Sequence, residues 1–578
     1  MVRDDSTIVL REKGNLNQAD RIATADRPSG RAPAQLHVIA TLRDAFLQIP
    51  PFPGARVSAF AEFSPSFVGP DPAAILDAVR KHRVGGSFWA SQPELPPHYV
   101  LVRSHAAIAL AEQLHPQSTV VLWEEDRVVP RVSERVPVYS GACDPWHMLA
   151  NAQAIFAEPS DEIRRVAAIL SVPCQLFDSE TGEAAPDLAD AIELVGKPVS
   201  ATLFVNPFTG EPMGPLEAIE LCAFWRRLID SNRGTAAGLG FAFWKQGHVA
   251  PLLWDGAATF RFLRTVGELK TNAPVAVWRS KASAAVNELE RRDIPLIEVE
   301  DGFLRSRGLG ADCVPPLSIV ADRLGPHFDP SRPSELERLL QSGPFEPDLV
   351  ERARELRRLI VDAGIGKYEC ATRVLDRRAG ERRHILVPGQ VEDDLAVTVG
   401  GCGLVSNLEL LKRVRERAPD AYILFKPHPD VLAGHRRGAI SDKACLQYAD
   451  EIVGELPIAS LIAMVDEIHV NTSLAGFEAL LRGKSVTTYG VPFYAGWGLT
   501  TDLGPVPSRR SARRDLDELV AATLLLYPRY LDPETGLPCP AEIVVARLSV
   551  SDTRDPGLVV GVRRLQGKLM RRLRSLVQ

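Results

Sequence analysis

Two acidic stretches follow apolar runs of the sequence and carry side chains suited to acid–base or nucleophilic chemistry. In the first, the segment IPLIEV leads directly into Glu300 and Asp301, which Gly302 and Arg305 follow. A carboxyl group at such a place can pass a proton to or from a substrate hydroxyl. Gly302 permits close approach of another backbone. Arg305 could neutralise an anionic substrate or pair with Asp301.

The second stretch, PGQVEDDLAV, places Gln390, Glu392, Asp393 and Asp394 on one loop. Carboxylates in such a loop can act as a nucleophile or general base, bind a metal ion, or form a solvated turn. Spacing alone does not choose among these roles. No histidine stands close enough in the sequence to indicate a zinc site.

Two further segments carry groups that suit a phosphate. In KPHPD, Lys426 and His428 follow an apolar run, and the prolines favour an extended loop. In NTSLAGFEALLRG, Thr472 or Ser473 is predicted to cap a helix whose free N–H groups attract anions. Glu478 lies more than one turn inside, where its carboxylate could bind a ribose diol. The simpler alternatives are a polar turn and a plain capped helix with a solvated glutamate.

The segment YGVPFYAGWGLTTD is rich in glycine and carries four aromatic residues: Tyr489, Phe493, Tyr494 and Trp497. Such rings could stack on a sugar or a base. They could equally form a core around a turn, because aromatic side chains bury large apolar areas. The sequence leaves both interpretations open.

A regular alternation of strand and helix patterns, from about residue 236 to 550, positions these segments. PVAVWRS, GLGFAF, IPLIEV and RRHILVPGQ predict strands, whereas KASAAVNELERR has the apolar spacing of a helix. Such alternation indicates parallel sheets with helices on both faces. Ligands of these folds bind beyond the carboxyl ends of the strands. We therefore expect a Rossmann-like pair of halves with the polar segments facing a cleft.

An internal repeat links this region to the preceding part of the chain. VNPFTGEPMGPLEAIEL, from Val205, resembles LDPETGLPCPAEIVVARL, from Leu531, and ANAQAIFAEPS resembles AMVDEIHVNTS. The two echoes occur in the same order, but YGVPFYAGWGLT has no upstream counterpart. We expect a shortened, degenerate first module before a complete second one; chance similarity of short segments is the alternative.

Composition limits the function classes. The chain of 578 residues has a formal net charge of -6, so nothing global attracts it to nucleic acid. Its 8 cysteines are scattered without a C-x-x-C pair, which favours a reducing, cytoplasmic environment. The charged N-terminal stretch does not resemble a secretory signal.

Taken together, the motifs resemble the KpsC-type capsule polysaccharide proteins, a family of bacterial β-Kdo glycosyltransferases. The matching segments are EDGFLRSRGLG, PLSIVAD, PGQVEDD, KPHP, TSLAGFEALLRG, YGVPFYAGWGLT and YPRYLDPETGLP. They occur in the family's order from about residue 238 to 548. One departure is ADRLGPHFD, where the family usually has glycine, an aliphatic residue and tyrosine, so the acceptor contacts are expected to differ.

The resemblance implies an α/β, GT-B-like fold and transfer of Kdo (3-deoxy-D-manno-oct-2-ulosonic acid) from CMP-Kdo to a lipid-linked saccharide, with retention of configuration. It implies Asp394 as nucleophile, and Glu300 is our candidate acid/base. The remaining candidates form two groups. Donor binding is assigned to Gln390, Lys426, His428, Thr472, Ser473 and Glu478. Acceptor or carboxylate binding is assigned to Arg305 and Trp497.

CMP-sugar chemistry of this type needs no metal in principle, although the Asp393–Asp394 pair leaves metal assistance open, and we expect no cofactor. We expect a cytoplasmic protein that associates peripherally with the inner-leaflet membrane surface and has capsule assembly or export proteins as further partners. We predict a flexible arm (1–35), a degenerate upstream module (36–230), an acceptor-side half (236–345), a nucleotide-sugar half (346–550) and a basic tail (559–578). Because the upstream module lacks the acidic, HP and GFEALL motifs, we expect a single active site. The alternatives are a non-catalytic export or assembly component and a transferase of the same fold that uses another nucleotide sugar.

The tail predicts an interaction with anionic lipid. Its apolar residues recur at helical spacing, and six basic residues occur with no acid from Gly561 onward. Such a helix can lie on an anionic membrane, although docking on the protein's own acidic surface is the alternative. Deleting residues 559–578 should leave activity on a soluble acceptor intact and abolish sedimentation with anionic liposomes at low salt. Equal liposome binding by both forms would exclude the tail as the anchor.

Overall fold

A computed structural model describes residues 38–39, 45–60, 62–63, 67–124, 135–257, 259–306, 314–366, 377, 380–434, 436–454 and 456–550. The predicted N-terminal arm and basic tail lie outside the described residues.

The described strands form four sheets. The small sheet contains β1 (Val38–Ile39), β2 (Glu62–Phe63), β9 (Leu203–Val205) and β10 (Pro212–Met213). The upstream sheet contains β3 (Tyr99–Val102), β4 (Thr119–Glu124), β5 (Val138–Ser140), β6 (Ala152–Ala157), β7 (Cys174–Phe177) and β8 (Ala184–Pro186). The middle sheet contains β11 (Ala237–Leu239), β12 (Phe262–Leu263), β13 (Val275–Val277), β14 (Leu296–Asp301), β15 (Ser318–Asp322), β22 (Pro528–Leu531) and β23 (Pro538–Cys539). The last sheet contains β16 (His384–Pro388), β17 (Tyr422–Lys426), β18 (Glu451–Ile452), β19 (Glu467–Val470), β20 (Ser485–Thr488) and β21 (Thr501–Asp502).

Helices connect the strands and cover the sheets. They are α1 (Pro72–His82), α2 (Ile108–Leu114), α3 (Pro145–Leu149), α4 (Ile163–Leu170), α5 (Lys197–Ser200), α6 (Pro215–Asn232), α7 (Phe243–Leu253), α8 (Ser283–Arg291), α9 (Glu335–Ser342), α10 (Pro347–Asp362), α11 (Leu395–Thr398), α12 (Asn407–Arg417), α13 (Pro429–Leu432), α14 (Asp442–Cys445), α15 (Ile458–Met464), α16 (Leu474–Leu481), α17 (Leu516–Val520) and α18 (Ala541–Ser549). In the described part of the chain, none of the helices combines the length and hydrophobicity that a bilayer-spanning helix needs.

The last sheet is parallel throughout, with the order β18-β17-β16-β19-β20-β21. Its central strand, β16, is buried along its whole length, as expected for a strand covered by helices on both faces. The carboxyl ends of all six strands lie at one edge. Gln390 and Thr472 lie in the loops after β16 and β19, and Lys426 is the last residue of β17, so all three lie at that edge.

The middle sheet is mixed rather than parallel. β11 to β14 are parallel, but β15 pairs antiparallel with β14, and β22 pairs antiparallel with β15. Residues 528–539, which the sequence analysis placed in the second half, thus complete the sheet of the first half. The predicted strand GLGFAF is also shorter than expected, because Gly240 adopts φ 83° and the chain turns into α7.

The upstream module repeats the topology of the last sheet. Its order, β5-β4-β3-β6-β7-β8, places the first to sixth strands as in the last sheet, although β8 is antiparallel to β7. The hairpin β9–β10 also matches β22–β23: Val205 pairs with Pro212 as Leu531 pairs with Pro538. The predicted α/β class and the repeat are therefore confirmed, with a shortened first copy.

A buried ion-pair cluster joins the two downstream halves. Glu337, on α9 after the middle sheet, is 5% exposed and accepts hydrogen bonds from Arg509 and Arg510, which follow β21. The Arg510 guanidinium also donates to the carbonyl oxygens of Pro492 and Ala495, at 2.8 and 3.0 Å. Nearby, the ring centroids of Phe303 and Phe493 lie 4.6 Å apart across the boundary. These contacts hold the halves in one arrangement.

Removing the carboxylate at the centre of this cluster should destabilise the fold. Glu337→Ala leaves two guanidinium groups without their shared buried partner, so the free energy of unfolding should fall by about 3 kcal/mol. Urea denaturation followed by circular dichroism measures this loss. Glu355→Ala is the matched control, because Glu355 pairs with Arg358 at the exposed surface and such pairs contribute at most about 1 kcal/mol. Equal losses in both variants would contradict the assigned role.

Candidate functional site

The candidate site lies between the carboxyl ends of β14 and of the last sheet's strands. Gly302 packs against β15 so closely that a Cβ there would lie 2.2 Å from the Ser318 hydroxyl, which explains the glycine after Asp301. Gly400, in the loop after α11, lies against the first half: a Cβ there would be 2.9 Å from the Phe328 carbonyl oxygen. The two halves therefore meet beside the acidic segments.

Glu300 is a strong candidate for proton transfer. Its burial, together with the neighbouring charges of Asp301 and Asp394, raises its pKa to about 8, although the Lys245 ammonium opposes the shift. Asp394 belongs to the other half of the chain, and its charge is close enough to contribute to this shift. A carboxyl group with this pKa exchanges a proton readily near neutral pH.

Asp301, next to it, is held ionised. Burial alone would raise its pKa, but Lys245 and Arg305 outweigh that effect and lower the pKa to about 2. The Lys245 ammonium donates to Oδ1 and the Arg305 guanidinium to Oδ2, both at 2.9 Å. Asp301 therefore anchors the strand end instead of exchanging protons.

Lys245 is a site residue that the sequence analysis missed. It lies in the first turn of α7, 9% exposed, and its Nζ stands 3.4 Å from the centroid of the Trp278 ring. Burial lowers its pKa, while Asp301 counteracts that effect. Its sequence signal was its place directly after a predicted strand, but nothing local connected it with Asp301, 56 residues away.

Arg305 takes the second of the two roles considered for it. It is 1% exposed and donates to Asp301, to the Ser306 hydroxyl at 2.8 Å and to the Val314 carbonyl at 2.9 Å. In this structure its guanidinium is buried against Asp301. It is therefore not exposed for the contact with an acceptor or carboxylate that the sequence analysis assigned to it.

Trp497 is likewise part of the core. It is fully buried, and its indole N–H donates to the Phe493 carbonyl oxygen at 2.8 Å. Tyr489, Phe493 and Tyr494 are also buried. The aromatic residues of this segment therefore form a core around a turn, which is the second of the two interpretations left open by the sequence. The segment supports the loops around it, and the Trp497 ring is not presented to a ligand.

Asp394 is placed at the start of a helix and remains accessible. It caps α11, with Oδ1 accepting from the Ala396 N–H at 3.0 Å, and its side chain is 48% exposed. Arg436 lies 3.8 Å from its other oxygen and 3.3 Å from Asp393. Glu392 turns the other way and accepts from the Asn407 N–H at 2.8 Å. Of the three acids, Asp394 is the one that caps a helix, and its second oxygen lies 3.8 Å from the Arg436 guanidinium.

Gln390 and Thr472 form a reciprocal pair. The Gln390 amide donates to the Thr472 hydroxyl at 3.0 Å and accepts from the Thr472 N–H at 2.9 Å. Ser473 caps α16 through the Ala475 N–H at 3.3 Å. The structure thus brings three predicted donor-binding residues together at one neutral, N–H-rich helix start.

The two basic residues of the KPHPD segment have different roles. Lys426 is 6% exposed, and its ammonium donates to the Leu456 carbonyl at 2.5 Å and the Gly454 carbonyl at 3.3 Å. It supplies positive charge from below the surface. His428 caps α13 with Nδ1 accepting from the Asp430 N–H at 3.1 Å, so the neutral ring carries its proton on Nε2.

Glu478 is set apart from the other donor-binding candidates. It is 7% exposed and lines a small cavity together with Phe303, Ile365 and Phe477. A full helical turn separates it from the cap of α16. In this structure it faces the packing between the halves and not the helix start.

In the upstream module an ion pair occupies the position that corresponds to the Gln390–Thr472 pair. After β3, Arg103 pairs with Asp161 at 2.8 Å, and Asp161 accepts from the Ile163 N–H at 3.1 Å, where α4 begins. The loops after the first and fourth strands are thus joined by an ion pair upstream and by the neutral pair Gln390–Thr472 downstream. A carboxylate already occupies the helix start that an anionic ligand would need.

No three histidine, cysteine, aspartate or glutamate side chains converge on a common metal position within the described ranges.

Comparison with known proteins finds similarity to one family in the region that contains this site. The profile of the family described as "Capsule polysaccharide biosynthesis protein" matches residues 275–364 and 367–530. The capsule polysaccharide modification protein LipA of Neisseria meningitidis serogroup B is 41% identical over 337 residues, which cover 57% of this chain and 48% of LipA. The chain thus spans about half the length of that curated relative.

Two solved structures from Thermosulfurimonas dismutans KpsC are similar to part of this chain. The β-Kdo 2,7 transferase is 35% identical, covers 54% of this chain and 98% of its own, and has a TM-score of 0.45. The β-Kdo 2,4 transferase is 32% identical, covers 55% of this chain and 100% of its own, and has a TM-score of 0.48.

The raised pKa of Glu300 predicts a pH-dependent stability. Between about pH 5 and pH 8 the unfolded chain releases this proton while the folded protein keeps it, so stability falls as pH rises. Glu300→Gln removes the titration and should gain at least about 1 kcal/mol relative to wild type over that range. Urea midpoints at both pH values measure it. Glu355→Gln, where Arg358 lowers the pKa of the glutamate, should show no such trend; parallel pH profiles for wild type and Glu300→Gln would refute the shift.

Proposed function

Because the chain belongs to the KpsC-type capsule polysaccharide biosynthesis family, we propose that it is a retaining β-Kdo transferase. The donor is CMP-Kdo and the acceptor is a lipid-linked saccharide. The observation that carries the proposal is that the halves pack together beside both acidic segments: the Phe303 ring, next to the Glu300 segment, contacts Phe493, and Gly400, in the loop that follows Asp394, lies against Phe328. Two carboxyl groups on opposite sides of a sugar are the groups that a double displacement needs.

The first displacement uses Asp394. The carboxylate oxygen that does not cap α11 attacks the anomeric carbon of Kdo, the bond from that carbon to the CMP phosphate breaks, and the electron pair leaves with the phosphate. No proton is required, because the phosphate is already a good leaving group. The cap on Ala396 N–H fixes the orientation of the attacking carboxylate.

The second displacement uses Glu300. The acceptor hydroxyl attacks the same carbon from the face that CMP left, the bond to Asp394 breaks, and Glu300 takes the hydroxyl proton. Two inversions give net retention. Esterified Asp394 is neutral, so its contribution to the raised pKa of Glu300 disappears in the intermediate. Loss of this smaller contribution lowers the pKa of Glu300, which favours release of its proton to solvent before the acceptor hydroxyl attacks.

The donor binds on the last sheet. Gln390, Thr472 and Ser473 offer hydrogen-bonding groups at the start of α16, and His428 presents Nε2–H from the adjoining loop. Lys426, buried beneath, and the helix N-terminus supply the positive potential for a phosphate and a carboxylate. In the upstream module, Asp161 already occupies the start of α4 and pairs with Arg103. This occupied position supports a single donor site in this part of the chain. We place the protein at the cytoplasmic face of the inner membrane, where a lipid-linked acceptor is accessible.

Asp394→Asn should abolish transfer of Kdo, with a fall in rate of at least about 1000-fold, because the amide cannot form the adduct. Asparagine caps helices as well as aspartate does, so fold and CMP binding should persist. Transfer from CMP-Kdo to a β-Kdo glycoside, followed by mass spectrometry, measures the rate. Asp393→Asn, one residue away and 50% exposed, should stay within about 10-fold of wild type.

Two outcomes would contradict this assignment. Near wild-type rates in Asp394→Asn would exclude the nucleophile, and equal losses in both variants would indicate damage to the loop. A parallel screen of other nucleotide sugars with the wild-type protein tests the donor: turnover with one of them and none with CMP-Kdo would replace the donor while leaving the transferase chemistry.

A further inference from the structure

One aromatic side chain is exposed where the others are not. Within the described ranges, every tryptophan, tyrosine and phenylalanine whose burial is defined is buried or half-buried except Phe243, which is 75% exposed. Leaving a phenylalanine ring in water forgoes the apolar burial that packing would provide. A single exposed apolar residue is not unusual by itself, so its position must carry the argument.

Phe243 begins α7 at the edge of the middle sheet where Glu300 lies. The helix starts after the carboxyl end of β11, and β11 and β14 are parallel, so both carboxyl ends share this edge. Side chains of an α-helix lean toward its N-terminus. The ring of the first helical residue therefore extends beyond the helix toward that edge. Two residues on, Lys245 contacts Asp301, the neighbour of Glu300.

The ring belongs to the acceptor side. The residues assigned to the donor, Gln390, His428 and Ser473, follow strands of the last sheet, whereas Phe243 follows β11 and Glu300 lies near the end of β14 in the middle sheet. A ligand that contacts Phe243 therefore approaches Glu300 from the half opposite the nucleotide.

The surroundings suit a sugar ring better than an acyl chain. Among the described residues of 236–345, Leu324 is the other large apolar side chain that is exposed. It follows β15, which is antiparallel to β14, and so lies at the opposite edge of the sheet. An acyl chain needs a continuous apolar surface, whereas one aromatic face beside charged groups matches the C–H face and hydroxyls of a single sugar.

We propose that Phe243 is the platform on which a saccharide ring of the acceptor stacks while its hydroxyl faces Glu300. This inference rests on the proposed transferase function and adds the residue that positions the acceptor. It makes Phe243 a determinant of acceptor affinity and leaves donor binding to the other half.

The test compares Phe243→Ala and Phe243→Trp with wild type, using methyl β-Kdo glycoside and octyl β-Kdo glycoside as acceptors. Phe243→Ala should raise the acceptor KM about 10-fold for both glycosides alike, with the KM for CMP-Kdo and acceptor-independent donor hydrolysis unchanged. Phe243→Trp should keep the acceptor KM near wild type. Leu188→Ala, at an upstream residue that is 91% exposed, is the matched control and should change neither constant.

Two results would overturn the inference: an unchanged acceptor KM in Phe243→Ala, or a rise confined to the octyl glycoside, which would indicate contact with the lipid chain. A binding measurement distinguishes failure of the Phe243 inference from failure of the proposed transferase function. If wild type does not turn over CMP-Kdo, titration of Phe243→Trp with methyl β-Kdo glycoside should still shift tryptophan emission relative to wild type. Absence of the shift would then reject the platform independently of the donor.

Discussion

The antiparallel pairing of β15 with β22 is the constraint on which the arrangement of the site depends. The chain leaves the middle sheet after β15, builds the whole last sheet, and returns to pair Arg529 with Ile319. Because both ends of the second half are tied to the first, the carboxyl edges of the two sheets are held toward one another. Glu337, clamped by Arg509 and Arg510, adds a second attachment between the halves.

Within that frame, charge balance separates the roles of two adjacent acids. Asp301 receives two buried cations and stays ionised, whereas Glu300 lies beside two carboxylates and keeps its proton. One residue along a strand points to the opposite face of the sheet, so neighbours in sequence enter different environments. The pair resembles the arrangement by which enzymes obtain an acid and a fixed anion from the same residue type.

The duplicated topology shows how one copy can keep a site and the other lose it. Both six-stranded sheets bring the loops after their first and fourth strands together. Downstream, Gln390 and Thr472 join these loops without net charge, and the helix start can attract an anion. Upstream, Arg103 and Asp161 join them with a carboxylate at the helix start. The fold is therefore compatible with either outcome, and the side chains at two loops decide.

The sequence by itself determined the α/β class, the repeat, the helix α8 and the strand-end loops, because periodicity and caps are local properties. It also indicated Asp394 and Glu300 as chemistry-bearing residues, through their place after apolar runs and a family resemblance. Only the tertiary structure decided that Arg305 and Trp497 are buried, that Glu478 faces the packing, and that β22 returns to the first sheet. The partner of Asp301 likewise came from 56 residues away. Burial and electrostatic environment depend on which distant segments meet, and local sequence does not contain that information.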